Sequence, residues 1–168
     1  MSNSTNAPVI PLKEFDQEMS TTRTMLERIP SDQEHFKPHE KSMEFGYLTH
    51  LVAAIPGWID ATLRQDSIDL ADGPKPQRMN TNEILHFFDR NVKQAREALQ
   101  SITGEKLEEK WSLMMSGKML MSLPRGEAAR NHLSHLVHHR GQLSVYARLL
   151  NVKIPQIYGP SADTAWGA

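Results

Sequence analysis

The sequence predicts an all-α fold: a four-helix bundle with a long crossover between helices 2 and 3 and a short hairpin-like insertion before helix 4. Three observations predict it. Four segments carry apolar residues at helical spacing, a Pro- and Gly-rich stretch separates the second from the third, and two short apolar runs flank a Ser-Gly pair before the fourth. The 168 residues fit one domain, with the bundle over about 12–151 and an extended C-terminal arm over 152–168.

The first helix is predicted from about Leu12 to Ile29, because apolar residues recur there at every third or fourth position and Pro30 ends the pattern. A polar connector follows. The second helix starts near Ser42, and Pro56 should disturb one of its turns because proline lacks a backbone donor. Its apolar stripe consists of Met43, Tyr47, His50, Leu51, Ala54 and Trp58.

The segment SIDLADGPKPQRMN is predicted to be a long loop that crosses from one end of the bundle to the other. A third helix should follow from about Thr81 to Ile102. Asn80 and Glu83 have the spacing of a capping box, in which each side chain bonds the other residue's backbone N–H. This pair fixes the predicted start of the third helix.

The segment KWSLMMSGKMLMSL predicts a hairpin that turns at Ser116 and Gly117. Pro124 fits the first turn of a fourth helix that continues through Leu150, and Asn151 tolerates the left-handed conformation that ends helices. The tail after it is too rich in proline and glycine to continue as helix.

Composition excludes several classes of protein. The formal net charge of -1 provides no broad basic surface for nucleic acid. The absence of cysteine excludes disulfides, thiolate metal sites and a cysteine nucleophile. No signal peptide and no membrane-spanning apolar stretch are present. We therefore expect a soluble cytoplasmic protein with neither nucleic-acid nor membrane partners, whose metal ligands could only be nitrogen and oxygen.

Three histidines predict a metal site. His135 and His139 are four positions apart on the fourth helix, so they lie one turn apart on the same face. Taken alone, the pair could equally be hydrogen-bonded core histidines. His50, however, lies on the inward stripe of the second helix, where an unpartnered imidazole would cost about 1–3 kcal/mol. Three imidazoles would leave one coordination position of a divalent ion open to water or substrate.

Two other histidines remain alternatives. His132 is three residues before His135 and could replace His139 as its partner, whereas His138 could support a ligand, cap, or bond across a dimer interface. The remaining histidines are expected in solvent: His35, His39 and His86.

The three residues after the histidine run have expected roles as well. Arg140 is expected to form a surface or interface salt bridge, and Gly141 to allow close helix packing. Gln142 could hydrogen-bond a ligating histidine.

His50, the segment HLVHHRGQ and the following VYARLLNVKIPQIYGPSAD together resemble the DinB-like (DinB/YfiT-like) superfamily, from about Leu12 to Asp163. The resemblance implies a four-helix bundle with a long crossover, often as a homodimer. It also implies a zinc or nickel ion bound by one histidine of helix 2 and two of helix 4, which correspond here to His50, His135 and His139.

Superfamily members of known activity resemble thiol-dependent S-transferases or isomerases, so the resemblance implies a small-molecule substrate and a low-molecular-weight thiol. A hydrolase that activates water is the first alternative. Thiol activation is favoured, since Glu44 and Asp60 on the second helix do not clearly face the histidines and no other general base is evident. The second alternative is a non-catalytic dimeric metal- or ligand-binding module of a stress response. A nucleic-acid-binding factor has the least support.

Overall fold

The computed structural model describes residues 9–73 and 77–165. Within these ranges the chain is mostly helical, with a small three-stranded sheet; residues 166–168 of the predicted arm lie outside them. The elements in chain order are α1 (Leu12–Leu26), α2 (Phe45–Arg64), β1 (Ser67–Asp69), α3 (Thr81–Ser101), α4 (Gly104–Glu108), β2 (Lys110–Met115), β3 (Lys118–Pro124) and α5 (Arg125–Leu149).

All four predicted helices are present as α1, α2, α3 and α5, with ends that differ by a few residues. α1 stops at Leu26 instead of Ile29, because the backbone N–H groups of Arg28 and Ile29 bond carbonyls only three residues back and tighten the chain before Pro30. α2 packs against α3 and α5, and α1 packs against the same two helices. Their apolar stripes form one buried cluster at the centre.

Pro56 lies inside α2, and the helix continues through it. Beside it, Asn91 of α3 donates its side-chain N–H to the carbonyl oxygen of Ala53 at 3.0 Å. A Cβ on Gly57 would lie only 3.2 Å from the Asn91 side chain. Glycine therefore permits the close approach of α3, and Asn91 satisfies a carbonyl in the turn that precedes the proline.

The predicted capping box of α3 is confirmed. The Asn80 side-chain oxygen accepts the backbone N–H of Glu83 at 3.0 Å, and the Glu83 carboxylate accepts that of Asn80 at 2.8 Å. The predicted left-handed residue after the last helix is confirmed too, since Asn151 has φ 60°. Pro124 is the residue just before α5 rather than part of its first turn.

The all-α prediction needs one correction, because the crossover segment is not only a loop. Its Ser67–Asp69 portion forms β1, which pairs in parallel with β2, while β2 and β3 form the predicted antiparallel hairpin. The Asp69 carboxylate accepts the backbone N–H groups of Ser116 and Gly117, both left-handed, at 2.9 and 2.7 Å. The crossover is therefore attached to the hairpin turn. The short helix α4 was also not predicted.

Arg140 contradicts the expectation of a surface or interface salt bridge. Its side chain is 2% exposed and donates to the Glu18 carboxylate at 2.7 Å, to the Thr22 hydroxyl at 3.0 Å and to the Tyr158 hydroxyl at 2.5 Å. Arg140 thus joins α5 to α1 and to the C-terminal arm.

The expectation that Gly141 allows close helix packing is wrong, since a Cβ there would meet nothing within 4 Å among the described residues.

In the described ranges, no helix is both long enough and apolar enough to span a membrane.

Arg125 is the first residue of α5, and its side chain is fully buried. Its guanidinium donates to the backbone carbonyls of Thr62, at 2.7 Å, and of Gln65, and to the carboxylate of Asp66 at 2.6 Å. Its backbone N–H donates to the carbonyl of Glu109 at 2.8 Å. One residue therefore joins the start of α5 to the end of α2 and to the segments that precede β1 and β2.

We expect Arg125→Met to lower the free energy of unfolding by about 2–4 kcal/mol, because the carbonyls at the end of α2 lose their buried donor. The matched control is Arg130→Met on the same helix, which removes an exposed ion pair with Glu14 and should cost less than about 1 kcal/mol. Urea unfolding at neutral pH compares the two. Equal losses would contradict the role assigned to Arg125.

Candidate metal centre

A cleft of about 1240 Å³ lies between α2, α5 and the sheet. Each element contributes side chains for a local reason: the helical period turns one stripe of α2 and one of α5 toward it, and strand alternation turns every second residue of β2 toward it. His50 of α2 and His132 and His135 of α5 line the cleft. The structure thus places two of the three predicted ligands on a common cleft.

His135 and His139 form the closest histidine pair of the site. Their Nε2 atoms are 2.7 Å apart. His139 donates its Nδ1–H to the side-chain oxygen of Gln142 at 2.7 Å, so the neutral ring carries its lone pair on Nε2, the atom that faces His135. Gln142 therefore makes the contact with a candidate ligand that its position predicts, and it fixes the tautomer of His139.

The geometry of this pair fits a shared metal ion. Two imidazole nitrogens bound tetrahedrally to one zinc ion at about 2.0–2.1 Å lie about 3.3 Å apart. The observed 2.7 Å between the Nε2 atoms requires a shift of only a few tenths of an ångström per ring. Nitrogen donors also suit zinc and nickel better than magnesium or calcium.

Burial favours the neutral form of the candidate ligands. The His50 ring is 6% exposed and stacks on the Phe87 ring of α3, with centroids 5.1 Å apart. Burial lowers the pKa of His50. Burial also lowers the pKa of His135, and electrostatic repulsion between its protonated form and the neighbouring His139 and His138 lowers it further. Only neutral imidazole binds metal, so both side chains are in the ligating form at neutral pH.

His132 remains an alternative ligand. Its Nε2 is 3.0 Å from the Thr62 hydroxyl, and its ring meets those of Trp58 and Trp111 edge-on at 5.9 Å. Burial, with a smaller contribution from His135, lowers its pKa from 6.5 to about 4. A metal could compete with Thr62 for this nitrogen. His138 is exposed, and its ring lies 4.9 Å from that of His139.

Across residues 9–73 and 77–165, no group of three or more histidine, aspartate or glutamate side chains is arranged to hold a metal ion. The ligand set His50, His135 and His139 therefore stays a prediction, of which the structure brings one pair into contact. The histidines expected in solvent are exposed: His35, His39 and His86.

The two carboxylates considered beside the site lie elsewhere. Glu44 is 3.4 Å from His35, and Asp60 pairs with Arg64 at 2.6 Å.

Three neighbours of the histidines were not identified from the sequence: Thr62, Phe87 and Trp111. Each lies on a different element from the histidine that it contacts, so no spacing along the chain reveals the contact.

Comparisons with known proteins point to one family. The family model for the DinB family matches residues 1–166. The fold is similar to that of a DinB-like protein, YjoA, from Bacillus subtilis, at 18% identity and a TM-score of 0.66, over 87% of this chain and 96% of that one. It is also similar to a DinB-like protein from Bacillus cereus ATCC 10987, at 22% identity and a TM-score of 0.66, over 88% and 95%. No curated protein matches the chain.

The low pKa of His132 predicts a pH-dependent stability. Between pH 6.5 and about 4 the unfolded chain binds a proton at this residue and the folded chain does not, so stability falls as the pH is lowered through this window. His132→Gln should make the slope shallower by at most about 1.4 kcal/mol per pH unit. Urea unfolding across this window, with a chelator present, measures both slopes. Identical slopes would show that burial does not lower the pKa of His132 in the folded protein.

Proposed function

Because the chain belongs to the DinB family, we propose that it binds a divalent ion, zinc or nickel, through His50, His135 and His139 and activates a small thiol at this site. The proposal takes the four long helices as the predicted bundle and the protein as a homodimer. The observation that carries it is the contact between the Nε2 atoms of His135 and His139, with the proton of His139 held on Nδ1 by Gln142.

The residues around the candidate site have separate tasks in this proposal. Gln142 orients His139, and the stacking of Phe87 orients His50. Trp58 lies against His135, with ring centroids 5.8 Å apart, and shields that side from water. A divalent ion, when bound, lowers the pKa of a coordinated thiol and so supplies a thiolate at neutral pH.

Thiol activation is preferred to hydrolysis because of the groups that contact the histidines. Their hydrogen-bond partners in the described ranges are the amide of Gln142, the hydroxyl of Thr62 and one another. A hydrolase would need a group that takes a proton from water during attack. A thiolate needs no such group once its proton has been lost.

We expect about one zinc or nickel ion per chain in the purified, untagged protein. His50→Ala, His135→Ala and His139→Ala should each remove it, because two imidazoles alone bind these ions weakly. Elemental analysis measures the metal content. His86→Ala is the matched control, since this histidine is exposed on α3, and it should keep the metal.

Metal content, together with assays of ester hydrolysis and thiol consumption, distinguishes the alternatives. Retention of metal by His139→Ala together with its loss from His132→Ala would replace His139 by His132 in the ligand set. No metal in the wild-type protein, even after reconstitution with zinc and nickel, would contradict the proposal and leave a binding module. A metal-loaded protein that hydrolyses esters but does not consume thiols would indicate the hydrolase.

Gln142 offers an independent test of the orientation of His139. Gln142→Ala should weaken metal binding by about tenfold or more, because the Nδ1–H of His139 loses its acceptor. Gln142→Glu retains an oxygen acceptor and should bind metal at least as tightly as the wild type. Competition with a chromogenic chelator measures both affinities. Equal affinities of the wild type and Gln142→Ala would show that this hydrogen bond does not support a ligand.

A further inference from the structure

The sheet gives the cleft an apolar floor. In the register of the sheet, Ile68 of β1 pairs with Leu113 of β2, and Leu113 pairs with Met121 of β3. Paired residues project to the same face of a sheet. All three line the cleft. The floor is therefore a row of apolar side chains across three strands, opposite the histidines of α2 and α5.

The helical wall of the cleft continues this apolar surface. Leu51, Ala54 and Trp58 follow one another along one stripe of α2 and line the cleft together with His50. Trp58 also contacts the rings of His132 and His135. A molecule on the apolar floor would thus extend toward the candidate ligands.

Large apolar side chains at the cleft are exposed to water. Tyr47, Leu70 and Met121 are 45%, 42% and 38% exposed, and all three line this one cleft. A cluster of exposed apolar residues is a common mark of a binding surface, whereas single exposed apolar residues are normal on any protein. A ligand that covers them would gain the free energy of removing their apolar area from water.

The charges around the cleft disfavour an anion. The described residues that line the cleft include no lysine or arginine. They do include two acidic residues, Asp69 and Asp72. The Asp69 carboxylate accepts backbone N–H groups and stays charged, since these bonds lower its pKa. When no metal ion is bound, a carboxylate or phosphate ligand would find no lysine or arginine among these described residues to offset its desolvation. The cleft volume of about 1240 Å³ also exceeds the range of about 300–1,000 Å³ typical of small-molecule pockets.

We propose that this cleft binds an uncharged molecule with a large apolar body, of two fused rings or more, which lies on the floor of Ile68, Leu113 and Met121. The placement of its reacting group beside His50 and His135 rests on the proposed function; the apolar binding itself does not.

Two naphthalene derivatives test the proposal: the neutral 2-naphthylmethanol and the anion 2-naphthoate. Calorimetric titration of the full chain measures their affinities in the presence of a chelator, so that no metal ion can bind the carboxylate. In the metal-free protein we expect 2-naphthylmethanol to bind at least about tenfold more tightly than 2-naphthoate, because the described residues that line the cleft include no lysine or arginine to pair with a carboxylate. Tighter binding of 2-naphthoate, or no binding of 2-naphthylmethanol up to its solubility, would overturn the proposal. So would equal affinities for the neutral and the anionic probe.

A pair of matched variants locates the binding. Leu113 and Met114 are consecutive on β2 and so point to opposite faces. Leu113 pairs with Met121, whereas Met114 pairs with Met119, because the register shifts at this point and leaves Leu120 without a partner in the register. Met119 therefore lies on the face away from the floor, and its side chain is 56% exposed. Met121→Lys should weaken 2-naphthylmethanol about tenfold and strengthen 2-naphthoate, whereas Met119→Lys should leave both within about twofold. Equal effects of the two lysines would overturn the assignment of the floor.

The metal content of the same samples separates this inference from the proposed function. Samples that contain no metal but bind 2-naphthylmethanol in a manner sensitive to Met121→Lys would support the apolar cleft and contradict the metal site. Protein that contains one metal per chain as purified, but prefers 2-naphthoate once a chelator has removed the metal, would support the metal site and overturn the apolar cleft. Thermal unfolding of both lysine variants checks that they fold, and both substitutions are at exposed positions.

Discussion

The cleft depends on the buried guanidinium of Arg125. This residue stands where β3 passes directly into α5, and it holds the carbonyls at the end of α2 and the carboxylate just before β1. The sheet has few other contacts with the helices. The planar guanidinium suits this junction because its N–H groups point in several fixed directions. The carbonyls at the end of α2 and the Asp66 carboxylate lie at different positions, and one lysine ammonium would not reach them all. The apolar floor keeps its position under the histidines because of this attachment.

The same attachment sets the direction of α5, and Arg140 fixes the helix again beyond its middle. Arg140 contacts Glu18 of α1 and Tyr158 of the C-terminal arm, so the histidine segment lies between two buried arginines. A helix fixed at two points cannot rotate about its axis. The 3.6-residue period then determines that His132 and His135 face the cleft, while His139 turns toward the core beside them.

Local patterns predicted much of this structure, and long-range contacts account for what they missed. The helical stripes, the Asn80–Glu83 capping box, the turn at Ser116 and the left-handed Asn151 all depend on residues a few positions apart. β1 has only three residues, too few to show strand alternation, and it forms because β2 lies beside it. The burial of Arg140 was missed for a similar reason. The sequence around a single arginine does not show that its partner carboxylate lies on another helix.

The candidate site divides in the same way. The four-residue spacing within α5 was sufficient to predict that His135 and His139 meet, since one helix sets both positions. The place of His50 relative to that pair depends on how α2 packs on α5, which no spacing determines. Packing also sets the chemistry of these rings, because burial lowers the pKa of His50 and of His135 and keeps a lone pair free on each. A change that admitted water to the cleft would raise both pKa values and let protons compete with a metal ion. Core packing is therefore coupled to the metal affinity that we propose, even where the substituted residue touches none of the three histidines.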